Sequence, residues 1–372
     1  DEILDRLWLT NNGPLLQEFE AQLAQLTNAK HCVAVCNATL AIEICARALR
    51  LNGEVIVPAF TFAASAHALE WVGIRPVFAD VNPQTHVIDP ESVRLLISPR
   101  TTGIMGVHVW GTACPIDALG ALASEHNLAL FFDAAHAIGC GVNGQMIGTS
   151  GSAEVFSFHA TKVLNSFEGG AITTNDDALA HRLRLLRNFG FAGLDRILSP
   201  GTNAKMTEIS AAMGLVNLDS LPHFIARNLA NYEMYRSLLG GIRGLRLYTH
   251  DAKPHNYQYV VVEIDEDTAG ISRDDLYTIL HAENVLARRY FYPPLHLVEP
   301  YRSQARKPAP KLPNTEQLSE RVLCLPTGTA ATETEVRIIC DLIRFVLAEA
   351  APIRSRFADQ QQGTSRARPP SP

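Results

Sequence analysis

A lysine placed after a β-type run is the first residue whose position suggests chemistry. The run 152–158 ends in Phe158, and Lys162 follows within one turn. At the mouth of a sheet, partial desolvation lowers the pKa of a lysine amine, which can then form a Schiff base with an aldehyde cofactor. The ordinary alternative is a solvated loop lysine. Only six of the 32 basic residues (lysine plus arginine) are lysines, so a general abundance of surface lysines does not explain Lys162.

A carboxylate closes another apolar run. Asp133 follows residues 128–132, and a buried carboxylate needs a partner because an unpaired buried charge is costly. A protonated pyridine nitrogen would be a fitting partner, since Asp133 would then keep the ring cationic and able to accept electrons. The alternative is that Asp133 caps a helix starting at Ala134. The residue pattern leaves both interpretations open.

A phosphate site is predicted where a strand turns into a helix at residues 36–40. The amides of Ala38 and Thr39 and the Thr39 hydroxyl would face an anion at the helix N-terminus, although Asn and Thr are also common helix caps. Phe62, just past another strand end, could stack on a flat ring. Core packing is the default explanation for a phenylalanine.

The elements that position these residues follow an α/β pattern. From residue 28 to 174, short β-type runs alternate with helical patterns, which predicts a mostly parallel central sheet flanked by helices. In such sheets ligands gather where strand ends meet loops and helix N-termini. The predicted strands are 32–35, 54–57, 76–79, 103–107, 129–132, 154–158 and 171–173.

After a long helical pattern at 208–238, the pattern of predicted elements changes. Strands near 257–264 and 285–292, with helices between and after them, indicate a smaller α+β domain. The end is rich in Gln, Ser, Arg and Pro, which favours disorder. The predicted organisation is a large domain of residues 1–244, a small domain of residues 245–357 and a disordered tail of residues 358–372.

The composition argues against several classes of protein function. A net charge of −6 without a basic stripe argues against nucleic acid, and no apolar run is long enough to span a membrane. The seven cysteines fit neither a zinc site nor a disulfide framework, so we expect no metal and a reducing, cytoplasmic location. Cys32 and Cys36 suggest a metal pair, but strand alternation explains them better.

These pieces stand in an order that resembles the DegT/DnrJ/StrS-type nucleotide-sugar aminotransferases. That family belongs to the aspartate-aminotransferase-like, fold type I, pyridoxal-phosphate enzymes. The similarity runs from about Gly13 to about Leu347. Its strongest segments are residues 55–62, 76–81, 156–162 with 168–170, and 292–296.

The resemblance implies pyridoxal 5′-phosphate as the cofactor and a role for each matching residue. It also implies a homodimer with shared active sites, because Asn203 matches an asparagine that reaches the phosphate from the neighbouring subunit. Two positions depart from the usual pattern: Ala38 replaces a glycine, and His136 stands where a glutamine often touches the ring hydroxyl. The remaining matches are Lys162 for the covalent link, Asp133 for the pyridine nitrogen, Phe62 for ring stacking, and Ser157 with the amides of Ala38 and Thr39 for the phosphate.

The resemblance also favours a particular reaction. Dehydratases of this fold carry histidine where Lys162 stands, so a ping-pong transamination with L-glutamate as donor is favoured. The His-Ala-Thr-Lys form at 159–162 and the opening segment 9–14 resemble enzymes acting at C4 of dTDP-4-keto-6-deoxyglucose. The alternatives are a C3 aminotransferase, a non-catalytic sensor that keeps the cofactor, and a metabolite-binding α/β protein without cofactor.

The nucleotide-sugar substrate has its own candidate residues. Its phosphates need cationic partners, for which Arg288, Arg289 and the region of Asn11 are candidates, although an arginine pair is also typical of a solvated strand edge. Tyr292 and His296 are expected to line the sugar pocket. The Tyr-Pro-Pro sequence at 292–294 is equally compatible with a rigid turn.

Overall fold

The computed structural model describes residues 2–250, 252–304 and 311–356, so the predicted tail at 358–372 lies outside the described residues. Contacts group the described chain into two compact units. Neither unit is one contiguous range, as the predicted domains are, because two segments from the later part of the chain belong to the first unit. The predicted domain boundaries remain a prediction. The first unit comprises the described residues of Asp1–Ala226, His250–Gln258 and Pro293–Glu316, and the second those of Arg227–Thr249, Tyr259–Tyr292 and Gln317–Pro372.

The strands fall where the apolar runs predict them in the first half of the chain. In chain order they are β1 (His31–Val35), β2 (Glu54–Pro58), β3 (Arg75–Ala79), β4 (Thr101–Val107), β5 (Ala129–Asp133), β6 (Gly141–Val142), β7 (Gln145–Met146), β8 (Ala153–Ser157), β9 (Gly170–Thr174), β10 (Leu245–Leu247), β11 (Val260–Ile264) and β12 (Val322–Leu325).

The helices complete the alternating pattern. Short 3₁₀ turns also occur at Val109–Gly111 and Leu295–Leu297. Within the described residues, no helix combines the length and apolar character needed to cross a membrane. In chain order they are α1 (Glu2–Asp5), α2 (Pro14–Thr27), α3 (Ala38–Ala48), α4 (Ala63–Trp71), α5 (Pro90–Leu96), α6 (Ile116–Glu125), α7 (Asp177–Arg187), α8 (Glu208–Leu239), α9 (Glu266–Ala269), α10 (Arg273–Ala282), α11 (Tyr301–Gln304), α12 (Pro313–Arg321) and α13 (Glu333–Ala348).

The first unit is built on a seven-stranded sheet in the order β1-β9-β8-β5-β4-β2-β3. Strand β9 runs antiparallel to both of its neighbours, and the other adjacent pairs are parallel. Parallel strands need crossover connections, which place helices on the sheet faces. The predicted mostly parallel α/β fold is therefore confirmed.

Both faces of this sheet are buried, and successive residues of one strand enter different cores. Val155 of β8 packs in the core formed with α3, α4 and α7, whereas Phe156 packs in the core formed with α2. Phe19 of α2 meets Phe158 edge-on at 5.4 Å between ring centroids. Such two-sided burial explains why the strands read as continuous apolar runs rather than alternating ones.

The second unit contains the antiparallel sheet β10-β11-β12 and helices α10 and α13. Helix α13 begins with a capping box between Thr332 and Glu335, which satisfies amides that the first turn leaves open. The combination of an antiparallel sheet and helices is the α+β character predicted for this part of the chain. The predicted strand at 285–292 is wrong: Arg288 alone forms a bridge, with Cys324, because the backbone turns at Ala287 and again at Tyr292.

Candidate active site

Asp133 and Ser157 end the neighbouring parallel strands β5 and β8, so they lie at one edge of the sheet. Asp133 pairs in register with Val155, two residues before Ser157. Their exposed fractions are 6% and 8%. Ligands of α/β sheets bind at this carboxyl edge. The structure thus brings together two residues that the sequence analysis assigned to one cofactor.

The Asp133 carboxylate is held by two donors. The Ser65 hydroxyl donates to Oδ2 at 2.7 Å, and the Ala135 amide donates to Oδ1 at 3.0 Å. The backbone turns after Asp133 instead of starting a helix, so the helix-cap interpretation is wrong. Each carboxylate oxygen has two acceptor sites, which leaves capacity for a further donor such as a protonated ring nitrogen.

Ser65 and Thr61 were not predicted as site residues. The Thr61 and Ser65 hydroxyls are 2.9 Å apart, and both side chains are buried. Ser65 lies in the first turn of α4, where it can reach across to the end of β5. The one signal in the sequence was indirect, because a buried Asp133 requires donors from elsewhere.

Lys162 lies in the loop between β8 and β9, and its side chain is partly buried. The loop is fixed by a hydrogen bond from the Ser166 amide to the Phe158 carbonyl, 2.9 Å, and by one from the Val163 amide to Gln258 Oε1, 3.0 Å. Burial lowers the pKa of Lys162 to about 8, although the Asp133 carboxylate opposes this shift. Near neutral pH a useful fraction of the amine is therefore unprotonated and nucleophilic.

His136 is buried within electrostatic reach of Lys162. Burial, reinforced by the Lys162 charge, lowers the pKa of His136 well below its usual range. The ring stacks on Trp110 with 5.9 Å between centroids, and its Nδ1 accepts the Trp110 amide at 3.2 Å. A neutral imidazole with Nδ1 as acceptor carries its proton on Nε2. His136 therefore presents a donor suited to a ring hydroxyl oxygen, and Trp110, which sequence analysis missed, orients it.

The N-terminus of α3 lies against the start of β9. The Asn37 side chain caps the helix by accepting the Leu40 amide at 2.9 Å. Helix geometry gives the amides of Ala38 and Thr39 no intrahelical acceptor, which makes them available to an anion. A Cβ on Gly170 would stand 2.7 Å from the Ala38 nitrogen, so glycine is needed here for close approach. Gly170 pairs with Ser157, which brings that hydroxyl to the same corner.

Phe62 is not a core residue. It precedes the first turn of α4, and 59% of its surface is exposed. The core-packing explanation is therefore wrong for Phe62. Single exposed apolar side chains are common on protein surfaces, but the open ring face of Phe62 is compatible with stacking on a flat ligand.

The two asparagines predicted to act at the site are exposed. Asn203 Oδ1 accepts from Lys205 Nζ at 2.7 Å, and the Asn203 backbone bridges to Asn188. Asn11 has a positive φ of 66°, a conformation that asparagine tolerates better than most residues. Both side chains are exposed and therefore accessible from outside this chain. The role of Asn203 at a neighbouring subunit and that of Asn11 at the nucleotide stay predictions.

The predicted substrate residues divide between the two units. Arg288 and Arg289 belong to the second unit, together with Tyr292. Arg288 is exposed, whereas Arg289 bonds Asp274 at 3.1 Å and lies 5.1 Å from the Tyr292 ring centroid. His296 belongs to the first unit, where it is buried with Nε2 3.2 Å from Glu316 Oε1. Arg289 is thus engaged within its own unit.

The residues at the sheet edge fit pyridoxal phosphate. Asp133 has acceptor capacity for the ring nitrogen, Lys162 has a lowered pKa, and the Ala38 amide sits in a corner that a Cβ on Gly170 would fill. These residues all belong to the first unit.

Comparison with known proteins supports the same conclusion. The chain is 35% identical over 347 residues to the dTDP-4-amino-4,6-dideoxy-D-glucose transaminase of Escherichia coli, covering 92% of this chain and 93% of that protein. The solved structure of DesI in the presence of its TDP-sugar product is 49% identical with a TM-score of 0.92, covering 96% and 91%. That of ntda from Bacillus subtilis with bound cofactor PMP is 27% identical with a TM-score of 0.84, covering 93% and 80%.

A family model also matches most of the chain. Residues 1–344 match the DegT/DnrJ/EryC1/StrS aminotransferase family, which confirms the predicted family, the predicted transaminase class and pyridoxal phosphate as cofactor. The chain belongs to the DegT/DnrJ/EryC1/StrS aminotransferase family.

Proposed function

We propose that this enzyme transfers an amino group from L-glutamate to C4 of dTDP-4-keto-6-deoxyglucose. The product would be a dTDP-4-amino-4,6-dideoxyglucose. The Escherichia coli relative carries this product in its name, and the DesI structure was obtained with a TDP-sugar product. The observation within this chain that carries the transaminase part of the proposal is the partly buried Lys162 amine, whose pKa burial lowers to about 8 although Asp133 opposes the shift.

The cofactor would be held by the residues of the sheet edge. Pyridoxal phosphate supplies an aldehyde that bonds to amines and a ring that accepts electrons. Asp133 would accept the hydrogen bond of the ring nitrogen, and His136 Nε2 would donate to the ring hydroxyl. Phe62 would stack on the ring. Ser157, Ala38 and Thr39 would bind the phosphate.

Lys162 would do the proton transfers of both half-reactions. With the cofactor bound, the Lys162 Nζ would take a proton from the glutamate Cα and, in the second half-reaction, would deliver a proton to C4 of the keto-sugar. The amino group would be carried between the two substrates by the cofactor. The keto-acid oxygen would come from water, and the ketone oxygen of the sugar would leave as water. Burial favours proton transfer by Lys162 because it keeps part of the amine unprotonated.

The subunit arrangement is part of the proposal. We propose a homodimer in which Asn203 reaches the cofactor phosphate of the neighbouring subunit, supported by the exposed position of Asn203. A cytoplasmic location is supported by seven cysteines that are all free thiols. The assignment of Asn11, Arg288, Arg289, Tyr292 and His296 to the nucleotide sugar stays a prediction.

The test is the position of the new amine. Purified enzyme with cofactor is incubated with L-glutamate and dTDP-4-keto-6-deoxyglucose, and the product is analysed by NMR. We expect an amine at C4, loss of transfer in Lys162→Arg, and unchanged transfer in Lys30→Arg, whose exposed side chain bonds Asp177. An amine at C3 from a 3-keto-sugar would identify the alternative aminotransferase. Bound cofactor that reacts with no amino acid would identify the sensor.

A further inference from the structure

A buried histidine and glutamate lie beneath the strand ends of the active site. His108 follows β4, and Glu154 lies on β8; both side chains are 0% exposed. Their closest atoms, His108 Nε2 and Glu154 Oε1, are 3.8 Å apart. Two ionisable groups in a sheet interior are unusual, because burial of such groups is unfavourable unless they serve each other.

The local hydrogen bonds orient the two side chains toward each other. The Cys114 amide donates to His108 Nδ1 at 3.0 Å, so the ring carries its proton on Nε2, the nitrogen that faces Glu154. The Ser150 amide donates to Glu154 Oε1 at 2.9 Å. At 3.8 Å the two groups are beyond hydrogen-bond distance, and neither His108 Nε2 nor Glu154 Oε2 has a hydrogen-bond partner among the described residues. Their attraction is therefore electrostatic, in a low-dielectric interior where such attraction is strong.

His108 and Glu154 lie on either side of β5, the strand that carries Asp133. In the sheet, β5 lies between β8 and β4. His108 stacks on Phe132 of β5 at 4.7 Å between ring centroids, and Phe132 pairs in register with Glu154. The His108 amide also donates to the Asp133 carbonyl at 2.9 Å. His108 thus contacts both Asp133 and the residue before it.

We propose that His108 and Glu154 are positioning residues for the cofactor. By joining the end of β4 to β8 across β5, the pair fixes the Asp133 carboxylate relative to Ser157, three residues after Glu154. A buried polar pair can fix the register of the strands that carry it, because a slide would leave both groups unpaired in the interior. The inference rests on the proposed roles of Asp133 at the ring nitrogen and Ser157 at the phosphate.

The first test compares cofactor binding in variants of the full-length apoprotein. Glu154→Gln keeps the size and the acceptor for Ser150 but removes the charge. We expect its dissociation constant for pyridoxal phosphate, measured from the visible absorbance, to rise about tenfold, since small misplacements at such sites have large effects. Glu154→Asp, which keeps the charge, should recover most of the affinity.

The matched control removes a different contact of the same residue. Thr173 lies opposite Glu154 on β9 and donates to the Glu154 carbonyl at 3.4 Å. Thr173→Val should lower the melting temperature without changing cofactor affinity more than about twofold. Equal loss of affinity in Thr173→Val and Glu154→Gln, or wild-type affinity in Glu154→Gln, would overturn the proposal.

A measurement on the unaltered enzyme covers the case in which Glu154→Gln does not fold. In protein with ¹⁵N-labelled histidine, the Nε2–H signal of His108 should be slow to exchange and should shift when the apoprotein takes up pyridoxal phosphate. An unchanged signal would contradict the positioning role. Asp133→Ala serves as reference: wild-type cofactor affinity in that variant would refute the assumed Asp133 role instead, independently of the sugar position that is aminated.

Discussion

At the scale of single residues, the site depends on how burial acts on two ionisable groups and on how hydrogen bonds hold a third. Burial lowers the pKa of Lys162 to about 8 and that of His136 well below its usual range. The carboxylate of Asp133, in contrast, receives hydrogen bonds from Ser65 and Ala135. Near neutral pH the edge therefore holds a neutral imidazole and a partly neutral amine, and an amine that is partly unprotonated can act as a general base.

Ser65→Ala tests the support of Asp133. The variant loses the 2.7 Å donor to Oδ2, so the carboxylate is less well held against the ring nitrogen. We expect a loss of about 1–3 kcal/mol in the free energy of unfolding, measured with urea, and cofactor affinity about tenfold weaker.

The control is a similar hydroxyl–carboxylate contact elsewhere on the same sheet. Ser98 donates to Glu54 Oε2 at 2.9 Å, and Glu54 stands at the opposite, amino end of its strand. Ser98→Ala should reduce stability without weakening cofactor binding. If Ser65→Ala bound pyridoxal phosphate as tightly as the wild type, Ser65 would have no role at the cofactor.

Site residues could be predicted from the sequence only where their position relative to a nearby strand was informative. Asp133 and Ser157 lie at the ends of recognisable strands and Lys162 follows one of them, so their common edge was predictable. Ser65 bonds Asp133 across a separation of 68 residues, and Trp110 meets His136 across 26. Such contacts depend on tertiary packing, which spacing along the chain does not encode.

At the scale of elements, strands buried on both faces were the most predictable. Runs such as 129–132 and 154–158 lie within one residue of the observed β5 and β8. The run 285–292 has equally β-favouring residues, but its backbone bonds close turns, from Ala287 to Val285 and from Tyr292 to Arg289. Strand propensity is overridden when local turns use the backbone groups that a ladder needs.

Gly170→Ala tests the junction between β9 and α3. The added Cβ would stand 2.7 Å from the Ala38 nitrogen, so the helix N-terminus must move away from its present position. We expect cofactor affinity to fall at least about tenfold, because phosphate binding by oriented amides depends on their placement. Titration of the apoprotein with pyridoxal phosphate measures this.

A glycine in an open position provides the control. Gly120 lies within α6, and a Cβ there would meet nothing within 4 Å. Gly120→Ala should stabilise the protein by about 0.5–1 kcal/mol, through helix propensity alone, and leave cofactor binding unchanged. Unchanged cofactor affinity in Gly170→Ala would show that the phosphate binds elsewhere.

At the scale of the whole molecule, the proposed homodimer needs apolar surface that a second copy could cover. Large apolar side chains that are exposed among the described residues include Trp8 at 49%, Phe167 at 55%, Phe189 at 44% and Ile209 at 60%.

Mixing two inactive variants tests whether sites are shared. Lys162→Ala removes the amine of a subunit's own site, and Asn203→Ala removes the contact proposed for the partner's site. A mixed dimer then has one site with both defects and one intact site. After random exchange of equal amounts, we expect about a quarter of wild-type transfer activity. Activity no higher than that of the separate variants would show that Asn203 does not serve the partner.

The most direct test of the account is the identity of the amine that holds the cofactor. Enzyme loaded with pyridoxal phosphate is treated with borohydride, digested and mapped by mass spectrometry. The added phosphopyridoxyl mass should appear on the peptide containing Lys162 and be absent when glutamate is added first. A label on another of the six lysines, or none at all, would contradict the assignment of Lys162 and the mechanism built on it.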